Sequence, residues 1–286
     1  ADGTNQTNIS NNPSTNTFSG DKDRDYTPPS LSPDGTTIVY QYKNRMDPLN
    51  TNLGIFASNP DGTEVRGLAR SNMRTGYGWS GGPKWSPDGT KIAFTSNQDA
   101  FYEDGRQSSS NREIYIMTLD QRDDPYPTRL TDCDKEEENL GVRNYCYQRP
   151  WQNQHPSWSP DGTKIVFESN RDGDIEIYTM NADGTNQTNI SKNSLSLLLG
   201  EKKDRYPSWS PDGSKIVFYT NRHGIRTPGS TKIPYQIYTM NADGTNQTRL
   251  TNNPVIDISP KWSADGKKIA FTSNREGNFN IFIMNA

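Results

Sequence analysis

Chemistry in this chain would have to come from few groups: two histidines, His155 and His223, two cysteines, Cys133 and Cys146, and aspartates that recur at fixed places. Two histidines do not make a recognisable metal-ligand set, and no Gly-x-Ser-x-Gly turn offers a serine nucleophile. Two carboxylates working as in a glycosidase stay open, because a sequence does not give their separation. The residues favour a noncatalytic protein over a hydrolase or lyase. A bridge from Cys133 to Cys146 would close a loop across 12 intervening residues and add about 3 kcal/mol of stability in the chain-entropy picture. Such a bridge places the protein outside the cytoplasm, as a secreted, periplasmic or cell-surface chain. A zinc site or two separate thiols are the alternatives.

Asp21-Lys22-Asp23-Arg24-Asp25 sets three carboxylates at alternate positions, as the start of a calcium loop does, without the glycine and distal glutamate of an EF-hand. No cofactor is required, and calcium is the one ion this run could hold. Asp25, Asp204 and Asp257 each stand three residues before a proline, with Asn153 and Ser80 at the matching places. Two roles fit them: a ring that binds a cation or water, or side chains that hydrogen-bond strand ends.

These residues are positioned by a repeat. Ser-Pro-Asp-Gly occurs at 32–35, 86–89, 159–162 and 210–213, with Ser263-Ala264-Asp265-Gly266 as a fifth copy. Four copies follow a tryptophan: Trp85, Trp158, Trp209 and Trp262. Each leads into a β-branched and aromatic run such as Ile165-Val166-Phe167, and a second run such as Ile175-Glu176-Ile177-Tyr178 ends in Asn-Ala-Asp-Gly. Asp-Gly between such runs signals hairpins. Each unit is read as a four-stranded antiparallel sheet, with its tryptophan wedged between neighbouring sheets.

The repeats resemble those of TolB-like β-propellers: Pro-x-Trp-Ser-Pro-Asp-Gly-x-x-Ile-x-Phe, then Asn-Arg-Asp-Gly and Glu-Ile-Tyr-x-Met-Asn-x-Asp-Gly. The match is close over 156–188 and 207–248, and weakest in the first unit. The resemblance implies an all-β, five-bladed propeller of four-stranded blades in a single domain. Blade 1 covers about 26–70, blade 2 about 82–131, blade 3 about 155–191 and blade 4 about 206–251, and the inner strands of blade 5 lie at about 260–286. Ala1 to Ser10 repeats Ala182 to Ser191 residue for residue, so Asn5, Gln6, Thr7, Asn8 and Ile9 are expected to form the outer strand of blade 5. Within one chain that strand closes the ring. Between chains it would build an assembly or filament, a form of self-association.

In such a propeller the long connections, 44–53, 97–111, 221–235, 11–27, 70–82, 131–155 and 192–206, all fall on one face, and the uniform Asp-Gly turns on the other. Loops on a rigid scaffold carry recognition. Their aromatic and imidazole groups, Trp79, Phe101, Tyr102, Tyr145, Tyr147, Trp151, His155, His223 and Tyr235, could bind a protein or a glycan, or could pack the loops themselves. With 31 basic against 34 acidic residues the net charge is −3, so there is no electrostatic footprint for nucleic acid. No apolar run is long enough to span a bilayer. The N-terminus lacks the features of a signal peptide, so any export signal is expected to be removed or to lie elsewhere.

Overall fold

The computed structural model describes residues 28–43, 53–69, 80–97, 111–119, 127–133, 150–192, 202–223 and 233–286. The chain forms two compact units, Ala1–Arg129 and Leu130–Ala286. In the first, β1 (Ser30–Leu31), β2 (Ile38–Lys43), β3 (Leu53–Ser58) and β4 (Arg66–Ala69) make one antiparallel sheet. A second follows from β5 (Ser80–Trp85), β6 (Lys91–Ser96), β7 (Glu113–Thr118) and β8 (Thr128–Arg129).

The second unit holds three sheets. The third sheet of the chain is β9 (Gln154–Trp158), β10 (Lys164–Ser169), β11 (Glu176–Asn181) and β12 (Thr188–Asn189). The fourth is β13 (Asp204–Trp209), β14 (Lys215–Thr220), β15 (Gln236–Asn241) and β16 (Thr248–Arg249). The fifth has three strands among the described residues, β17 (Asp257–Trp262), β18 (Lys268–Glu276) and β19 (Asn278–Asn285).

The hairpin turns explain why Ser-Pro-Asp-Gly recurs. Ser159 is the hub: its hydroxyl donates to Asp161 Oδ1 at 2.6 Å and accepts from the Lys164 N–H at 2.9 Å. Asp161 then accepts from the Thr163 N–H, and the Gly162 N–H closes the turn on the Ser159 carbonyl. Gly162 takes φ of 70°, where a side chain would be strained. The hydrogen bond from Ser159, and then those from Thr163, hold the Asp161 carboxyl below the ordinary carboxylate range.

Sheets stack face to face through the alternation of their strands. Val166 and Ile177 of the third sheet meet Trp209, Ile216, Phe218, Tyr238 and Met240 of the fourth. Val217, Tyr219 and Ile237 on the fourth sheet's other face meet Ile269, Phe271, Phe282 and Met284 of the fifth. Phe167 and Phe218 are fully buried, each contributing about 2–3 kcal/mol by leaving water. In the first unit Val39, Ile55 and Ala57 meet Ile92, Phe94, Tyr115 and Met117 in the same way. Trp158 and Trp209 are each 8% exposed, fitting the wedge reading.

The first strands of the second to fifth sheets begin at Ser80, Gln154, Asp204 and Asp257. Their pairing shifts register around the proline of each repeat, at Gly81/Lys84, Val166/Glu168, Arg205/Ser208 and Ile258/Lys261. The residue at the shift lies in the left-handed region: Gly82 at 66°, His155 at 54°, Tyr206 at 53° and Ser259 at 55°. This is a β-bulge, which re-aims a side chain out of the strand's regular alternation.

Candidate functional site

In the third, fourth and fifth sheets a buried polar residue stands at or just before the start of the first strand: Asn153, Asp204 and Asp257 are each 0% exposed. An arginine at or just past the end of the second strand takes each one. Arg171 donates to Asn153 Oδ1 at 3.0 Å, Arg222 pairs with Asp204 through two nitrogens, and Arg275 lies 3.2 Å from Asp257. The same arginines cover aromatic rings. Arg171 lies 4.5 Å from the Trp151 centroid and 4.7 Å from that of Tyr178, and Arg275 lies 4.5 Å from that of Phe282. Arg171 and Arg222 also reach Gln187 and Gln247 near the fourth strands. These carboxylates are therefore spent on ion pairs that tie a sheet together, which is the strand-end role rather than the cation ring. Among the described residues no group of three or more His, Cys, Asp or Glu side chains could hold a metal. Asp21, Asp23 and Asp25 lie outside those residues.

Because the third sheet does with a neutral Asn153 what the fourth does with Asp204, charge matters less here than hydrogen bonding. Asp204→Asn is expected to cost about 1 kcal/mol, a weakened hydrogen bond. Asp204→Ala, which leaves Arg222 buried beside an apolar wall, is expected to cost about 3–5 kcal/mol. Urea unfolding of the two variants checks the order.

The bulges bring a second group together. The His155 ring stacks on Tyr206 with centroids 3.7 Å apart, Tyr206 stacks on Tyr219 at 5.5 Å, and Tyr219 meets Tyr235 edge-on at 5.1 Å. Glu168, at the top of β10, backs this ladder: His155 Nδ1 lies 3.0 Å from its Oε1, and its Oε2 accepts the Tyr206 N–H at 3.0 Å. Burial alone would push the Glu168 carboxyl up, but the charges of His155 and Arg205, with hydrogen bonds from His155 and the Tyr206 backbone, outweigh it and hold the group at about 2. Burial and the Glu168 charge push the Tyr219 phenol up. At neutral pH the Glu168 carboxyl is ionised and the Tyr219 phenol beside it is neutral.

The ladder stands at the starts of strands that follow three long connections: His155 lies in β9, Tyr206 in β13, and Tyr235 just before β15. Of the other residues expected on this face, Trp151 is 6% exposed, packed against Cys133 and covered by Arg171. Its ring is therefore largely engaged in packing. His223 is exposed, and its Nδ1 lies 2.8 Å from the Tyr238 hydroxyl. Partial burial, then the positive charges of Arg222, Arg249 and Lys202, push its pKa down. Tyr238 occupies the position that Tyr178 holds in the third sheet, where its hydroxyl bonds to Asp172. Trp79, Phe101, Tyr102, Tyr145, Tyr147 and Cys146 lie outside the described residues, as do Asn5, Gln6, Thr7, Asn8 and Ile9. Tyr219 and Glu168 lie within strands and are not among the residues expected on this face. Tyr206 carries a signal in the sequence, as an aromatic residue of the 192–206 connection that precedes the proline where His155 holds the same place.

The family model of the TolB beta propeller domain matches residues 135–228 and 207–286, more than half of the chain, and the chain belongs to this β-propeller family. The five sheets among the described residues equal the number of blades read from the repeats. A protein TolB homolog of Chlorobium luteolum is 32% identical over 157 residues, 43% of this chain and 34% of that protein. The chain thus spans about a third of that relative's length. Among solved structures, the putative TolB of Agrobacterium tumefaciens superposes with a TM-score of 0.55 at 22% identity, covering 90% of this chain and 73% of that one. An oligogalacturonate lyase of Vibrio parahaemolyticus gives 0.55 at 15% identity, covering 91% and 65%. At these identities the structures share the fold alone.

Proposed function

We propose that this chain is a noncatalytic recognition propeller of the cell envelope. It binds a protein partner, or a glycan, on the face that carries its long connections. The carrying observation is one aromatic ladder, backed by a buried carboxylate, at the starts of strands that follow three of these connections. Stacked rings with polar edges give an apolar platform of fixed orientation. The opposite ends of the sheets carry short, near-identical turns whose polar groups are used within the turn.

Two things support an extracytoplasmic setting. One is the Cys133–Cys146 bridge, which we include in the proposal: Cys133 is fully buried, and no free thiol occurs among the described residues. Another is the kinship with a TolB homolog.

The test is capture from an envelope extract by the wild type, by Tyr206→Ala with Tyr235→Ala, and by Asp161→Ala with Asp212→Ala on the turn face. Capture of a partner should fall at least tenfold for the ladder variant and persist for the turn variant. Equal capture by all three, or loss only from the turn face, would sink the proposal. Hydrolysis or β-elimination of a glycan abolished by His155→Ala would replace it with an enzyme.

A further inference from the structure

The sheets carry one polar corner in different forms, and their comparison shows what the fourth sheet lacks. Three repeat positions build it: the residue after the arginine that follows the second strand, the first residue of the third strand, and the last residue of the fourth. In the third sheet these are Asp172, Glu176 and Asn189. Asp172 accepts from the Tyr178 hydroxyl and, at 3.1 Å, from Asn189 Nδ2, which also reaches Glu176. In the second sheet Arg129 stands where Asn189 does, 3.3 Å from Glu113, which stands where Glu176 does. In both sheets the donors meet a carboxylate of their own sheet.

The fourth sheet keeps the donors and has neither carboxylate. Tyr238 matches Tyr178 and Arg249 matches Arg129, but His223 replaces the aspartate and Gln236 the glutamate. The Tyr238 hydroxyl is 2.8 Å from Nδ1 of the exposed His223. Arg249 donates from Nε to the Thr251 carbonyl at 2.7 Å, from one terminal nitrogen to the His223 carbonyl at 3.3 Å, and from the other to Gln236 Oε1 at 3.2 Å. All three acceptors are neutral, and a guanidinium has five N–H donors, so two are left over. The neighbouring Arg222 is already matched by Asp204. After partial burial, it is the charges of Arg222, Arg249 and Lys202 that push the His223 pKa down, against the opposing charge of Asp204. The local field is positive.

We propose that Arg249 and His223 bind a carboxylate supplied from outside, an acidic side chain of a protein partner, in the role that Asp172 and Glu113 fill within their own sheets. Hydrogen bonds from a guanidinium to a carboxylate are charge-assisted and directional, which suits them to recognition. This inference rests on the reading of the connection-bearing face as a protein-binding one and names the chemistry of the partner. The corner adjoins the aromatic ladder, since Gln236 Nε2 donates to the carbonyl of Tyr235 at 2.8 Å. A partner laid across the rings brings an acidic residue next to them onto Arg249. Complementary charge of this kind fixes the register of the partner more than it adds raw affinity.

Binding to the full-length chain at low ionic strength tests the assignment, with an acetylated, amidated tetraglutamate peptide as the probe and tetraglutamine and inorganic phosphate as comparisons. Tetraglutamate should shift the His223 ring resonances and bind at least tenfold more tightly than either. His223→Asp, which gives the fourth sheet the carboxylate that Asp172 gives the third, and Arg249→Gln should each weaken that binding at least fivefold. The Ile237 amide should keep its protection from exchange in both variants, which shows that the sheet remains folded. Equal binding of the two peptides, unchanged affinity in both variants, or tighter binding of phosphate than of tetraglutamate would overturn the proposal. Capture through the ladder is read separately. Probe binding without ladder-dependent capture would sink the docking face and leave this corner standing, and the reverse would sink the corner alone.

Discussion

Glu168→Ala is expected to lower the unfolding free energy by about 3–5 kcal/mol at pH 7, the cost of removing one partner from a buried charge cluster. The carboxylate is 0% exposed, lies 3.0 Å from His155 Nδ1 and accepts the Tyr206 N–H. Its removal leaves the Arg205 charge and the Tyr206 backbone donor facing an apolar gap. Linkage gives a second signature. The group falls from an ordinary 4.5 to about 2 on folding, so between those values the unfolded chain binds more protons. Its contribution is complete above about pH 4.5 and lost as the pH falls towards 2. The gap between wild type and Glu168→Ala should therefore narrow over that window. Urea unfolding at pH 7 and pH 3 measures it, and a gap that does not change with pH would remove the charge from the account. Glu168→Gln, which keeps an acceptor for the Tyr206 N–H, should lose less than Glu168→Ala.

The second large effect is expected at Gly244. Its φ is 87°, and a β-carbon there would sit 2.2 Å from the Ile190 carbonyl oxygen of the preceding sheet. Gly244→Ala thus meets both backbone strain and a clash with main chain, and should cost about 3 kcal/mol or more. Gly35 has φ of 75° with nothing within 4 Å of its added carbon, so Gly35→Ala carries the conformational cost alone, about 1 kcal/mol. Comparing the thermal midpoints of the two variants separates the terms. Equal losses would mean that the close approach of sheets at Gly244 contributes nothing.

What the sequence discloses here is uneven, and the reason is physical. Turns and strands are local: Ser159, Asp161 and Gly162 sit within four residues of one another, so the hydrogen bonds that fix the turn can be read from the string. The same holds for the alternation of Ile165, Val166 and Phe167. The bulge is not local in that sense. His155, Tyr206 and Ser259 adopt a left-handed backbone that no feature of those residue types demands, and only Gly82 at the same place hints at it. With the bulge hidden, the approach of His155 to Tyr206 and of both to Glu168 is hidden too, since Glu168 lies on a neighbouring strand and Tyr206 on the next sheet. The arginine pairs fall between these cases. Asn-Arg recurs visibly after the second strand, yet its partners Asn153, Asp204 and Asp257 are read as bare carboxylates or amides until the sheet sets them side by side. That juxtaposition moves the acids from candidate ion ligands to structural anchors, and it moves attention to the ladder between their sheets.

The central claim, that recognition occurs over this ladder, is tested most directly by site-specific photocrosslinking in an envelope extract. A benzophenone amino acid is placed at Tyr235 in one protein and at Pro160 on the turn face in another. The account expects a discrete adduct from position 235 and none from position 160. An adduct from position 160 alone would contradict it.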